Sequence, residues 1–150
     1  MTILPAKNLY KERVLPSIYF YFASITLPVS LFLVALPFSE VVSISMALLS
    51  IPAVLVLSWV GSPLISLNDQ TLSIGKVQIE VKHLGAAEVI SPSSAFEERG
   101  IKLDTRAFTK FQIGVKQMVK IEIKDPLDPT PYWLIATRNP EVLAGLLNKR

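Results

Sequence analysis

From Val14 to Val60 the chain runs for forty-seven residues with one formal charge, Glu40, and no Lys or Arg at all. Apolar stretches of ~10–14 residues suit a soluble core, whereas ~20 match the hydrocarbon of a bilayer. The run therefore reads as two membrane-spanning helices. The first, Pro16 to Leu36, is ~31 Å long at ~1.5 Å per residue, against a hydrocarbon core of ~30 Å. The second extends from about Val41 to Val60, with Pro52 near its middle and Gly61-Ser62-Pro63 as its stop. Between them, Pro37-Phe38-Ser39-Glu40 is short enough to force an antiparallel hairpin, with Ser39 as N-cap and Glu40 as a favourable first-turn acid.

Proline sets the shape of the first span. Pro16 fits a first helical turn, and Pro28 predicts a kink near Ser24, where Ser24 and Thr26 can satisfy freed backbone groups. Ala23, Thr26 and Ser30 form one stripe of small residues, and Ser43, Ala47 and Ser50 another. Such stripes let helix backbones approach closely, but they also arise by scatter in apolar helices. A short turn brings both ends of the hairpin out on one side, and Tyr10, Tyr19, Tyr21 and Trp59 gather towards that interface. Lys7, Lys11 and Arg13 precede the first span and no Lys or Arg lies in the turn, which places both termini in the cytoplasm. A secretory signal fits less well, because the first run exceeds an ordinary signal core and a second follows it. The expected organisation is a cytoplasmic segment over 1–13, a hairpin over 14–61, and a cytoplasmic domain over 62–150 at the plasma membrane.

After Pro63 the pattern changes to alternation in short segments. Leu64–Leu67, Thr71–Ile74, Lys76–Glu80 and Ala86–Ile90 read as strands separated by polar or glycine turns, with Leu72, Ile74, Val77 and Ile79 facing inward. Residues 95–110 read as a solvated loop with one helical turn, whose Phe96 and Phe108, with Phe111 just beyond, need cover. From Val115 to Lys124, the residues Val115, Val119, Ile121 and Ile123 point one way, and Lys116, Lys120, Glu122 and Lys124 the other. Three prolines between Asp125 and Pro131 demand a stiff turn. Tyr132–Thr137 returns as a partner strand. Asn139-Pro140-Glu141 opens a final helix over 140–148, with Val142, Leu143, Leu146 and Leu147 on one face and Lys149 and Arg150 at its C-terminal end. The fold class is thus a membrane helical hairpin plus a small, mainly antiparallel β domain, a barrel or sandwich closed by a C-terminal helix. A pleckstrin-homology-like arrangement is the closest analogy.

The residues Asp125, Pro126, Asp128, Pro129, Thr130, Pro131, Tyr132, Trp133, Thr137, Arg138 and Pro140, followed by Leu143, resemble the C-terminal signature of an actinobacterial family of small two-pass membrane proteins with no assigned function. The order of parts over nearly the whole chain, including Leu103-Asp104-Thr105-Arg106-Ala107-Phe108, is similar to that family. The resemblance implies an uncharacterised membrane protein and brings no activity with it. Where the family tends to be tryptophan-rich, this chain has Tyr19-Phe20-Tyr21-Phe22, and Gly114-Val115-Lys116 replaces an Arg-Pro-Trp-like segment.

Chemistry-bearing patterns are sparse. With no cysteine, thiolate metal sites, disulfides and thiol catalysis are excluded, and the single histidine, His83, has no ligand-spaced carboxylate beside it. The six glycines are isolated, so no phosphate-cradling loop occurs. Asp125 and Asp128 are better read as turn formers than as a catalytic pair, and Arg138 is placed to clamp one of them across the turn. A net charge of +3, spread without a dense block, argues against nucleic acid as a partner. The strongest candidate surface is basic, comprising Arg106, Lys110, Lys116, Lys120 and Lys124, set against an ordinary solvated strand face. The Asn68-Asp69-Gln70 turn lacks the basic residues of phosphoinositide-binding pleckstrin domains. The expected role is non-enzymatic and cofactor-free: an interaction or scaffolding module at the inner leaflet, whose partners are the bilayer, anionic headgroups or a membrane protein. The alternative is an accessory subunit of a membrane enzyme or transporter that docks through the hairpin.

Overall fold

Helical order over the apolar run follows from its composition, since its backbone groups bond within the segment wherever proline permits. The computed structural model describes residues 8–149, so Lys7 and Arg150 of the sequence analysis lie outside the described residues. The run forms α1 (Ile18–Ser24), α2 (Thr26–Ala35) and α3 (Glu40–Gly61). Helices α1 and α2 together, and α3 alone, are long and apolar enough to cross a membrane. The interruption at Ile25 has the cause expected of it. Pro28 has no N–H to offer the Ser24 carbonyl four residues back, and next to it the Ile25 N–H bonds the Phe22 carbonyl at 3.2 Å in a tightened turn. Ser24 Oγ donates to Phe20 O and Thr26 Oγ1 to Ala23 O, each at 2.7 Å. Pro16 does not open the helix, because the chain turns in only at Ser17, the extended N-cap of Ile18. Ser39 occupies the N-cap position of α3 with extended backbone but its side chain makes no capping bond, and Glu40 is the first helical residue.

The contact face within this unit differs from the one the small-residue stripes suggest. On α3, Ser43 and Ser50 are buried and Ala47 half-buried, as their stripe predicts. On the first helices Ala23, Thr26 and Ser30 are exposed, whereas Ser24, Pro28 and Leu31 are half-buried and Ala35 is buried. The row Ser24, Pro28, Leu31 and Ala35, not the small residues, is thus the less exposed side of these helices. Tyr21 Oη lies 3.4 Å from Ser58 Oγ, tying the start of the first span to the end of the second.

Leu15–Ser62 form one compact unit, and the described residues on either side of it form the other. That second unit contains two four-stranded sheets. The first has the order β1-β2-β3-β4, antiparallel throughout, from β1 (Asn8–Arg13), β2 (Leu64–Asn68), β3 (Thr71–Ile74) and β4 (Val77–Glu80). Residues 8–13 are not a segment apart from the 62–150 domain but its first strand: β1 pairs from Arg13↔Leu64 to Asn8↔Asn68, and the Val14 N–H donates to Pro63 O at 3.0 Å. Gly75, at φ +62°, supplies the left-handed turn that joins β3 to β4. Leu72, Ile74 and Ile79 point inward as expected, but Val77 at the edge is partly exposed.

The second sheet has the order β5-β7-β8-β6, from β5 (Leu84–Ile90), β6 (Phe108–Lys110), β7 (Met118–Ile123) and β8 (Tyr132–Ala136). Strands β6 and β8 run parallel, the one departure from antiparallel pairing among the described strands. Neither sheet closes into a barrel. Strand β8 lies inside the sheet, and its Trp133-Leu134-Ile135-Ala136 is buried throughout, which is why it reads as a continuous apolar run. The long strand expected over 115–124 begins only at Met118, with the left-handed Gly114, at φ +73°, turning the chain in the loop ahead of it. Helix α4 (Ala95–Arg99) occupies part of the expected loop, and α5 (Pro140–Asn148) packs on β5 and β7. On α5 the inward face is Leu143, Ala144 and Leu147, while Val142 is 54% exposed. The core joins Ile65, Leu67, Leu72 and Ile74 of one sheet to Met118, Ile121, Leu134 and Ile135 of the other.

Candidate functional site

Three of the basic residues singled out from the sequence are paired with acids of the same domain. Lys120 lies on β7 in phase with Met118, and its Nζ is 3.0 Å from Glu98 Oε2 of α4 and 4.4 Å from the centre of the Tyr132 ring. Arg106 pairs with Asp104 at 3.1 Å, which draws the Asp104 carboxyl below its usual range and raises the guanidinium. Lys124 faces Glu122 at 3.5 Å. Lys110 and Lys116 flank the loop between β6 and β7 and have no ion-pair partner among the described residues. Pairing within the domain thus takes up three of the five charges: Asp104 and Glu122 are sequence neighbours of their partners, whereas Glu98 is twenty-two residues from Lys120 and is the one that spacing does not reveal.

The most elaborate polar cluster was not visible in the sequence. Glu12, from β1, accepts hydrogen bonds from the Tyr10 hydroxyl, from Thr137 Oγ1 and from the Arg138 backbone N–H, the last at 2.9 Å. Thr137 Oγ1 also accepts from the Asn139 N–H at 3.2 Å and lies 3.3 Å from the Tyr10 hydroxyl. Burial, and then the Glu12 carboxylate beside it, push the Tyr10 hydroxyl up to about 12, so it stays a neutral donor. Thr137 is wholly buried, out of reach of a substrate. This cluster is a latch: it fixes the first strand to the turn that opens α5, and its polar atoms are spent on one another.

The remaining signature residues hold the fold in similar ways. Asp125 Oδ1 accepts from the Leu127 N–H and Asp128 Oδ1 from the Thr130 N–H, each at 2.9 Å, the geometry of Asx turns. Asp125 also lies 3.4 Å from His83 Nδ1, giving the lone histidine a carboxylate neighbour. The Tyr132 hydroxyl accepts from the Asp104 N–H at 2.9 Å and donates to Lys102 O at 3.3 Å, tacking the 100–107 segment onto the sheet. Trp133 packs in the core at 4.8 Å, centre to centre, from Phe108. Pro126, Pro129 and Pro131 stiffen the turn, and Pro140 opens α5.

Concavities add little chemistry. One in the β domain, about 790 Å³ and open to solvent, lies between Asp69-Gln70-Thr71 and Glu80-Val81-Lys82. Its Lys82 is already paired with Glu80. Within the helical unit a cleft of about 250 Å³ is lined by Tyr21, Ser24, Ile25, Pro28, Ile51, Val54 and Leu55. No group of three or more metal-ligating side chains occurs among the described residues.

No curated protein and no solved structure matches the chain. Residues 9–147, from the first strand through the last helix, match the model of a family described as a protein of unknown function, DUF3093, and the chain belongs to that family.

Proposed function

We propose that the protein is a two-pass integral membrane protein, both termini cytoplasmic, whose β domain is a non-enzymatic interaction or scaffolding module at the inner leaflet of the plasma membrane. The observation that carries the reading is the pairing of the residues flanking the apolar unit. Arg13 lies opposite Leu64, and Val14 bonds to Pro63, so the chain leaves and re-enters one sheet at adjacent positions. A hairpin whose two ends are neighbouring strands exits on a single side of a bilayer. The excess of Lys and Arg ahead of the first helix then favours the cytoplasmic side. The likeness to a pleckstrin-homology arrangement is confined to a strand-rich body followed by one C-terminal helix.

The test is a hairpin exchange in cells. Replacing residues 15–62 by an unrelated two-span hairpin keeps the domain at the membrane, and the module reading expects it to restore whatever loss of the whole protein abolishes. Deletion of the β domain is expected to abolish it. The module reading fails if deleting the domain has no consequence and crosslinking in native membranes captures nothing on it. One observation favours a second reading, an accessory subunit docking through its helices: Ala23, Thr26 and Ser30 are exposed, leaving a small-residue stripe free for another helix. That reading expects the exchanged hairpin to fail.

A further inference from the structure

We propose that the loop Lys110–Lys116 is an interfacial anchor whose apolar tip inserts among the lipid headgroups, an inference that rests on the membrane-spanning reading above. The loop reads Lys-Phe-Gln-Ile-Gly-Val-Lys. Val115 is buried in the core and Gly114 takes a left-handed turn, which leaves Ile113 59% exposed and Phe111 36% exposed. Arg99 braces this shape from α4, donating through Nη2 to Val115 O and lying 4.9 Å over the Phe111 ring.

What turns two exposed apolar side chains into a membrane contact is their position. Gln112, between them, donates through Nε2 to Val14 O at 2.7 Å. Val14 is the last residue before the apolar unit, and Ile18, the first helical residue, follows four positions later. Four extended residues reach at most ~14 Å, and a headgroup layer is ~5–7 Å thick. The loop is therefore tethered within reach of that layer. Unpaired positive charge gathers at the same end of the domain. Lys110 and Lys116 bracket the loop, and Lys76 lies in the turn whose Gly75 N–H donates to Leu64 O at 2.8 Å. None of the three has an ion-pair partner among the described residues, in contrast to Arg106, Lys120 and Lys124. Lysine beside exposed Phe and Ile suits an interface in which the cation meets phosphate and the apolar tip meets the upper acyl chains. The Asn68–Gln70 turn, at the far end of β2, is the built-in contrast.

The absence of cysteine makes the test direct, using the full-length chain in phosphatidylcholine–phosphatidylglycerol vesicles. Single variants Ile113→Cys, Gln70→Cys and Val56→Cys each carry an environment-sensitive fluorophore. At position 113 the expected result is a blue shift in emission relative to position 70, quenching by lipids with a shallow nitroxide, and loss of quenching by aqueous iodide. Position 56 is expected to respond to deep nitroxides, and position 70 to iodide alone. If 113 behaves like 70 while 56 remains in lipid, the anchor is overturned and the spanning reading stands. If 56 is open to iodide, the spanning reading fails and the anchor with it. A probe at 113 shielded from both iodide and nitroxide places the loop against protein, which also overturns the anchor.

Discussion

The helical unit and the β domain satisfy their polar groups in opposite ways. Among the helices, serine hydroxyls turn back on their own segment, the Tyr21–Ser58 contact apart: Ser24 donates to Phe20 O, Ser43 to Ser39 O, Ser45 to Val41 O and Ser50 to Ala47 O. In the domain, side chains reach across the chain. Glu12 meets Thr137, Gln112 meets Val14, and Asn148 bonds both the N–H and the carbonyl of Ala87 on the strand that α5 covers. Self-satisfied helices can stand in hydrocarbon without a partner, whereas the domain depends on contacts distant in sequence. Local perturbations are therefore tolerated in the first region and propagate in the second.

Trp133→Ala is expected to have the largest effect, since it empties a buried site inside the second sheet, at ~3–5 kcal/mol. Denaturant unfolding of the reconstituted protein, followed by protease resistance of the domain, measures it. Glu12→Ala comes next, leaving the buried Thr137 hydroxyl short of an acceptor at ~1–3 kcal/mol, while the exposed Arg138 N–H can turn to water. Protection of the first strand against hydrogen exchange should fall together with that of the 137–139 turn, although more than a hundred residues separate them. Loss of protection at one without the other contradicts the latch. Asn148→Ala removes two hydrogen bonds and should cost about 2 kcal/mol. By contrast, Ser45→Ala removes only a self-directed bond on an exposed helix position and should stay within ~0.5 kcal/mol of the parent. An effect as large as that of Asn148→Ala would erase the distinction between the two regions.

The latch also has a pH signature. The Tyr10 hydroxyl ordinarily titrates at 10.0 and is pushed up to about 12 in the fold. Between those values the unfolded chain has lost the proton that the folded one retains, so stability contributed by this group is complete below pH 10 and declines as pH rises towards 12. Tyr10→Phe should remove that component of the alkaline decline, as read by the difference between parent and variant unfolding curves across the interval.

The hairpin was legible because its signals are local: an uncharged run, a proline at 28, a cap position at Ser39. Strands β2, β3 and β4 were legible for the same reason, each being a short alternating segment bounded by polar or glycine turns. Strand β1 was hidden because its inward position 12 is a glutamate, whose burial makes sense only once Thr137 and Arg138 are beside it. Strand β6 has three residues and pairs in parallel, leaving almost no periodicity to detect. The basic surface looked continuous because Lys116, Lys120 and Lys124 alternate in sequence. Only Lys120 lies on β7, with Lys116 before the strand and Lys124 after it, and Glu98 reaches Lys120 from an element whose position the spacing does not reveal. The alternation did mark Ile121 and Val119 as core, and the signature turn was read correctly as Asx geometry at Asp125 and Asp128.

In the proposed topology both flanks of the apolar run belong to one domain on one side of a membrane. Impermeant maleimide labelling of single-cysteine variants at Phe38 and Leu127 in intact cells and in inverted vesicles tests it most directly. The account predicts labelling of position 38 in intact cells and of position 127 in inverted vesicles alone. Labelling of position 127 in intact cells, or of both positions from the same side, contradicts it.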